Sequence, residues 1–168
     1  VDAIVNAANS QMLGCFSPLH GCIDNMIHTM AGVELREACY QIMKAQGHEE
    51  ETGAAKITPG YNLPARYVIH TVGPIVSGWL TGKDKEMLAS CYRSVLSTAS
   101  GNQLESVAFC CISTGVFHFP QDKAAEIAVS TVRGWLDSHP ETSVRRVIFN
   151  VFKDSDRDIY REILYHRE

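Results

Sequence analysis

Short apolar runs of strand length alternate with longer stretches whose apolar residues recur at helical spacing, and this alternation decides most about the fold. Residues 3–5, 54–58, 66–72, 106–112 and 144–151 read as strands. Residues 24–46 place Ile27, Met30, Ala31, Leu35, Ala38, Cys39, Ile42 and Met43 along one helical stripe, with Gly47 as a C-cap. Residues 83–100 repeat the pattern with Met87, Leu88, Cys91, Val95 and Leu96, and further helices are expected over 121–138, just after Pro120, and 155–165. Pro59-Gly60 and Gly73-Pro74 punctuate the strands. Strands alternating with helices of ten or more residues predict an α/β fold of three layers, a mostly parallel sheet flanked by helices. The 168 residues suffice for one domain with a sizeable core, and no repeat, linker or low-complexity tract divides them. In such sheets ligands bind beyond the strand ends. Two loops fit that place, residues 9–24 and 113–120.

Composition excludes several classes. A net charge of -4 gives no basic surface for nucleic acid, although backbone amides at a helix start still suit a small anion. No apolar run approaches the ~20 residues of a membrane span. The chain opens on Val1-Asp2, within a strand-like run and without a leader pattern, so residues upstream are expected to be missing. Of the six cysteines, Cys39 and Cys91 fall in helix-like segments and Cys110 and Cys111 in an apolar strand, a spacing that favours reduced thiols and a cytoplasmic setting over a disulfide framework.

The first of the two loops carries the strongest chemical signal. Cys15, His20 and Cys22 form a Cys-x4-His-x-Cys cluster, with Gly14, Pro18 and Gly21 suiting a loop that folds back on itself. Three zinc-competent side chains are one short of a closed structural site and leave a position for water or substrate. The alternatives are chance cysteines, or a closed site completed by Asp24 or a distant His.

Three segments carry a resemblance. Val1-Asp2-Ala3-Ile4-Val5-Asn6-Ala7-Ala8-Asn9, Val68-Ile69-His70-Thr71-Val72-Gly73-Pro74 and Ile112-Ser113-Thr114-Gly115-Val116-Phe117 resemble, in order, signatures of the macrodomain family, which binds ADP-ribose. Where that family usually has a glycine-rich loop ending Val-Asp-x-x-Ile-His, this chain has the Cys-His-Cys segment followed by Ile23-Asp24-Asn25-Met26-Ile27-His28. The substitution is similar to the zinc-dependent macrodomains, a microbial subgroup often encoded beside a sirtuin-type ADP-ribosyltransferase and a lipoyl-carrier protein. The Gly-Asp-Ile segment that usually precedes the first strand, whose Asp reads the adenine amine, is absent.

The resemblance implies a single macrodomain over 1–168, truncated at its N-terminus, that removes ADP-ribose from a mono-ADP-ribosylated protein with Zn2+ as cofactor. The lipoyl-carrier protein is one candidate substrate, and an Asp or Glu ester is the expected linkage. It implies that Cys15, His20 and Cys22 hold the metal, that Asn9 holds the distal ribose, and that Asp24 orients or deprotonates water, although Asp24 could equally be a helix N-cap. Ala8, Ile23, Ser113, Thr114, Gly115 and Val116 would line the ligand, with backbone amides of the 113–117 loop on the pyrophosphate. Phe117 would pack on the distal ribose. Phe152 would stack on adenine, with Phe149 as the competing ring. Asn6 is expected to stabilise its loop, and His28 and His70 to be packing residues. The alternative is a reader module that binds ADP-ribose without cleaving it; the Cys-His-Cys cluster separates the two, because recognition alone needs no open metal site.

Overall fold

The computed structural model describes residues 1–17 and 21–166. In chain order the elements are β1 (Ala3–Ala8), α1 (Ile23–Ala31), α2 (Val33–Gln46), β2 (Ala55–Pro59), β3 (Tyr67–Val72), α3 (Gly82–Gly101), β4 (Ser106–Phe109), α4 (Gln121–Ser138), β5 (Arg146–Phe149) and α5 (Asp154–Tyr165). The five strands form one sheet in the order β2-β3-β1-β4-β5. β3, β1, β4 and β5 are mutually parallel, and β2 runs antiparallel to β3. The three-layer α/β/α architecture is thus present, with the mixed sheet carrying a single antiparallel edge.

Strand alternation sorts side chains onto two faces. Ala3 and Val5 of β1 and Ile69 of β3 join the larger core, where α3, α4 and α5 bring Leu88, Tyr92, Val129 and Ile163. Ile4, Ala8, Val68 and Val72 face the other way and pack beneath α1 and α2 with Ile27, Leu35 and Cys39.

Local chemistry sets the boundaries. Thr81 and Asp84 start α3 with a reciprocal capping box. Gly47, at φ 81, ends α2 in the left-handed region. The helix expected over 24–46 is instead two helices. Gly32 adopts φ 95, and its N–H closes α1 onto the His28 carbonyl. The strand expected over 106–112 ends at Phe109, and the one expected over 144–151 is confined to Arg146–Phe149. Beyond Phe109 the chain peels away toward a loop, after the Asn150 N–H has bonded the Phe109 carbonyl at 2.8 Å.

Candidate functional site at the carboxyl edge of the sheet

Because β3, β1, β4 and β5 are parallel, the loops that follow them meet at one edge of the sheet. Asn9 and the loop toward Cys15 follow β1, the Ser113 loop follows β4 and Phe152 follows β5. Neighbouring strands lie about 4.8 Å apart. The thiol loop, the amide-rich loop and the exposed aromatic are therefore arrayed in that order along the edge.

Cys22 is the N-cap of α1, and its sulfur accepts the Asn25 N–H at 3.3 Å. Asp24 therefore sits inside the first turn rather than at the cap. The Cys15 and Cys22 thiols lie within hydrogen-bonding reach of each other. Burial, the Cys15 thiol and the nearby Asp24 charge all push the Cys22 pKa up. A pair of adjacent thiols with a carboxylate nearby offers donors of the kind that zinc takes. Two of the three proposed zinc ligands thus converge; His20 lies outside the described residues.

Asp24 is buried against the sheet. Its Oδ1 accepts the Asn6 amide at 2.8 Å and lies 3.6 Å from His28 Nε2. Burial raises the Asp24 pKa against the opposing effects of Asn6, His28 and Arg36. Burial likewise lowers the pKa of His28, whose two ring nitrogens have no hydrogen-bond partner among the described residues. Asn6 is the residue sequence reasoning underrated. It is fully buried, and it ties Asp24 to His70 rather than stabilising the loop. His28, Cys39 and His70 also converge, with ligand-type atoms within 4.8 Å of one another, all buried behind Asp24.

Asn9 organises the loop that bears the thiols. Its Oδ1 accepts the N–H groups of Gln11 and Met12 at 3.1 and 3.0 Å, and its Nδ2 donates to the Gly14 carbonyl at 3.2 Å. Met12, held at φ 60, is driven into the smaller core, which pins the loop from below. Ala8 is buried at the end of β1, whereas Ile23 is exposed on the first turn of α1.

After β4, Ser113 and His118 take φ 65 and 63 and turn the backbone sharply on either side of 114–117. The Phe119 N–H reaches the Ser113 carbonyl at 2.9 Å, and the Val76 N–H reaches the Phe117 carbonyl at 2.8 Å, so the loop is clamped at its base and to the segment after β3. Phe119, at the clamp, is buried in the larger core. The N–H groups of Gly115 and Val116 donate to no acceptor among the described residues, and Thr114 precedes them in the same turn. Such a run of amides on a rigid base suits a phosphate. The Ser113 hydroxyl is buried without a partner among the described residues, and Gly73 packs so closely that an added Cβ would fall 2.0 Å from it. Val116 is exposed and Phe117 half-buried. Of the two aromatics near the end of β5, Phe149 packs among Phe109 and Tyr160, while Phe152 is fully exposed.

The chain is 58% identical over 164 residues to a "Protein-ADP-ribose hydrolase" of Treponema medium, covering 98% of this chain and 62% of that protein. It is 55% identical over 163 residues to the protein of the same name from Staphylococcus aureus strain MSSA476, covering 96% of this chain and 60% of that one. The chain therefore spans about three fifths of the length of these relatives. Among solved structures, the Oceanobacillus iheyensis macrodomain with ADP superposes with a TM-score of 0.85 at 40% identity, covering 98% of this chain and 83% of that one. The Trypanosoma brucei macrodomain in complex with ADP-ribose gives 0.84 at 38%, covering 98% and 63%. No helix among the described residues is long and apolar enough to cross a membrane. The Macro domain profile matches residues 5–128, from β1 through the Ser113 loop into α4, and on that match the chain belongs to the Macro domain family.

Proposed function

We propose that this chain is the catalytic unit of a zinc-dependent protein-ADP-ribose hydrolase, acting in the cytoplasm on ADP-ribose esterified to acidic side chains. The observation that carries the reading is the pairing of Cys15 and Cys22 beside the buried Asp24, next to an amide-rich loop and an exposed aromatic. The names of the relatives and the ADP-ribose complex of a structural neighbour support the same class. A lipoyl-carrier protein is the substrate to try first.

In this reading Phe152 stacks on adenine, the amides of Thr114, Gly115 and Val116 bind the pyrophosphate, and Ala8, Ile23, Asn9 and Phe117 surround the distal ribose. The order of the loops along the sheet edge is the order of those groups in the ligand. Cys15, His20 and Cys22 would hold Zn2+, which supplies Lewis acidity and a lowered pKa for whatever oxygen it binds. Water oxygen bonds to the anomeric carbon as the bond from that carbon to the side-chain carboxylate oxygen breaks. One water proton is taken up by the chain, and the carboxylate leaves with the bonding pair. Asp24 suits the proton's destination, since burial makes its carboxylate a stronger base than a solvated one.

The test substrate is a mono-ADP-ribosylated acidic protein, with free ADP-ribose measured over time. Cys22→Ala removes a ligand and the α1 cap together, whereas Cys22→Ser retains a preferred capping atom. Outer-shell partners of catalytic metals are worth about 10–100-fold, so loss of a direct ligand should cost at least that in both variants. Turnover equal to the unmodified chain would remove zinc from the reaction. Tight ADP-ribose binding with no release, in zinc-replete buffer, would establish the reader instead.

A further inference from the structure

Buried polar side chains form a row across three strands behind the thiol pair. Asn6 of β1 and His70 of β3 are register partners, and Thr58 of β2 lies one diagonal step further. All three are buried. By strand alternation they share the sheet face of Ile4, Ala8, Val68 and Val72, which α1 and α2 cover. Asn6 Nδ2 is 2.8 Å from Asp24 Oδ1 and 3.1 Å from His70 Nδ1, and His70 Nε2 is 2.9 Å from Thr58 Oγ1.

The chemistry of these groups orders the row. A carboxylate oxygen only accepts, so Asn6 must turn its nitrogen, not its oxygen, toward Asp24. The second amide proton then points at His70 Nδ1, which must present a lone pair. That leaves His70 as the Nε2–H tautomer, donating to Thr58. The opposite tautomer would set two donors against each other at Nδ1 and would turn Asn6 Oδ1 onto the Asp24 carboxylate. Thr58 thereby stabilises one orientation of an amide two side chains away.

We propose that Asn6 is a positioning residue for the hydrolysis: it fixes the Asp24 carboxylate at the start of α1, and His70 with Thr58 locks the direction in which its amide points. The inference rests on the hydrolase reading and adds to it. Asn6 itself, sealed beneath α1, touches no substrate. A row that served the fold alone would weaken ligand binding and turnover together as the structure loosened; a positioning row shifts kcat and spares the affinity for ADP-ribose.

The experiment uses the chain with zinc, a mono-ADP-ribosylated acidic protein for turnover, ADP-ribose for calorimetry, and long-range proton–nitrogen NMR of His70. Three changes are compared: Asn6→Ala, the shape-conserving Thr58→Val, and Asp24→Ala alone and combined with Asn6→Ala. Among the described residues, Thr58→Val leaves His70 Nε2 only the Cys39 sulfur, a weak acceptor at 3.8 Å. The expected result is a kcat lowered about 10–100-fold by Asn6→Ala, a smaller loss with Thr58→Val, ADP-ribose affinity within about twofold, and no further loss when Asn6→Ala is added to Asp24→Ala. Unchanged kcat in Asn6→Ala, parallel loss of affinity, or a full additional loss in the Asp24→Ala background overturns the proposal. If the unmodified chain releases no ADP-ribose, the hydrolase reading fails, and NMR alone judges the row. A proton on His70 Nδ1 in the unmodified chain, or His70 nitrogen shifts indifferent to Asn6→Ala, then overturns it. Should Asn6→Ala fail to fold, Thr58→Val carries the same tests.

Discussion

Gly73→Ala tests whether the ligand loop is held by close packing. Gly73 follows β3 and is buried against the loop that follows β4. A Cβ there would stand 2.0 Å from Ser113 Oγ, 2.7 Å from Ile112 Cγ2 and 3.3 Å from Ser113 Cβ. Rotating the hydroxyl relieves the first contact only. Ile112 is β-branched and fully buried, so it cannot turn aside, and the loop backbone must shift. Overpacking of this kind costs about 1–3 kcal/mol, offset by about 0.4–1 kcal/mol from the stiffer unfolded chain. A net loss of about 1–2 kcal/mol lowers the melting midpoint of a domain this size by about 2–8 °C. The shift also moves the amides of Thr114, Gly115 and Val116, and one lost hydrogen bond to a charged group is worth about 1.5–3 kcal/mol, or tenfold and more in affinity. Thermal melts and calorimetry with ADP-ribose read both effects. Adding Ser113→Gly to Gly73→Ala deletes two of the three contacts and should restore part of each. A single variant that melts and binds like the unmodified chain would refute the packing argument, since nothing else near Gly73 could absorb the added carbon.

Phe152→Ala should leave the melting midpoint unchanged, because the ring is fully exposed, while ADP-ribose affinity falls about tenfold through lost stacking; calorimetry beside a melt checks both. Burial lowers the pKa of His70 from 6.5 to about 3, so between those values the unfolded chain binds a proton that the folded one refuses. Its contribution to stability is present above pH 6.5 and is lost as pH falls toward 3, at up to about 1.4 kcal/mol per pH unit. Urea midpoints from pH 7 to 4.5 should show that slope, and His70→Gln should remove the His70 share of it, leaving the part that His28 contributes. Asp24 has the opposite sign: its folded pKa is raised above 3.8, so its contribution is present below that value and lost as pH rises through the raised one. Asp24→Asn should therefore melt higher than the unmodified chain at neutral pH while releasing ADP-ribose more slowly.

What the sequence conveyed depended on whether a feature is local. The thiol loop is a local pattern, and Cys15 and Cys22 do meet. The choice between Phe149 and Phe152 was open because both rings lie near one strand end; packing against Phe109 and Tyr160 removes Phe149 from contention. The break at Gly32 was hidden by its own phase. Ile27 and Ala31 in α1, then Leu35 and Cys39 in α2, are each four residues apart, so the buried stripe continues across the turn as though one helix carried it. The row of Asn6, His70 and Thr58 was illegible for a different reason. These residues are 64 and 12 positions apart, and only strand register brings them together.

That row also explains why the two sides of the sheet differ. The side under α3, α4 and α5 is a continuous apolar core from Ala3 to Ile163. The side under α1 and α2 is smaller and gives up central positions to Asn6, Thr58 and His70, with Asp24 and His28 lying over them. Apolar residues at those positions would satisfy the packing pattern and add stability, since a buried polar group at best recovers its desolvation through hydrogen bonds. Asn6 Oδ1 and both His28 nitrogens do not recover even that among the described residues. A sequence tends to break its own packing rules where function demands it. The breach here lies beneath the first turn of α1, the same turn that carries Cys22 and Asp24, and the undisturbed core on the far side supplies the stability that allows it.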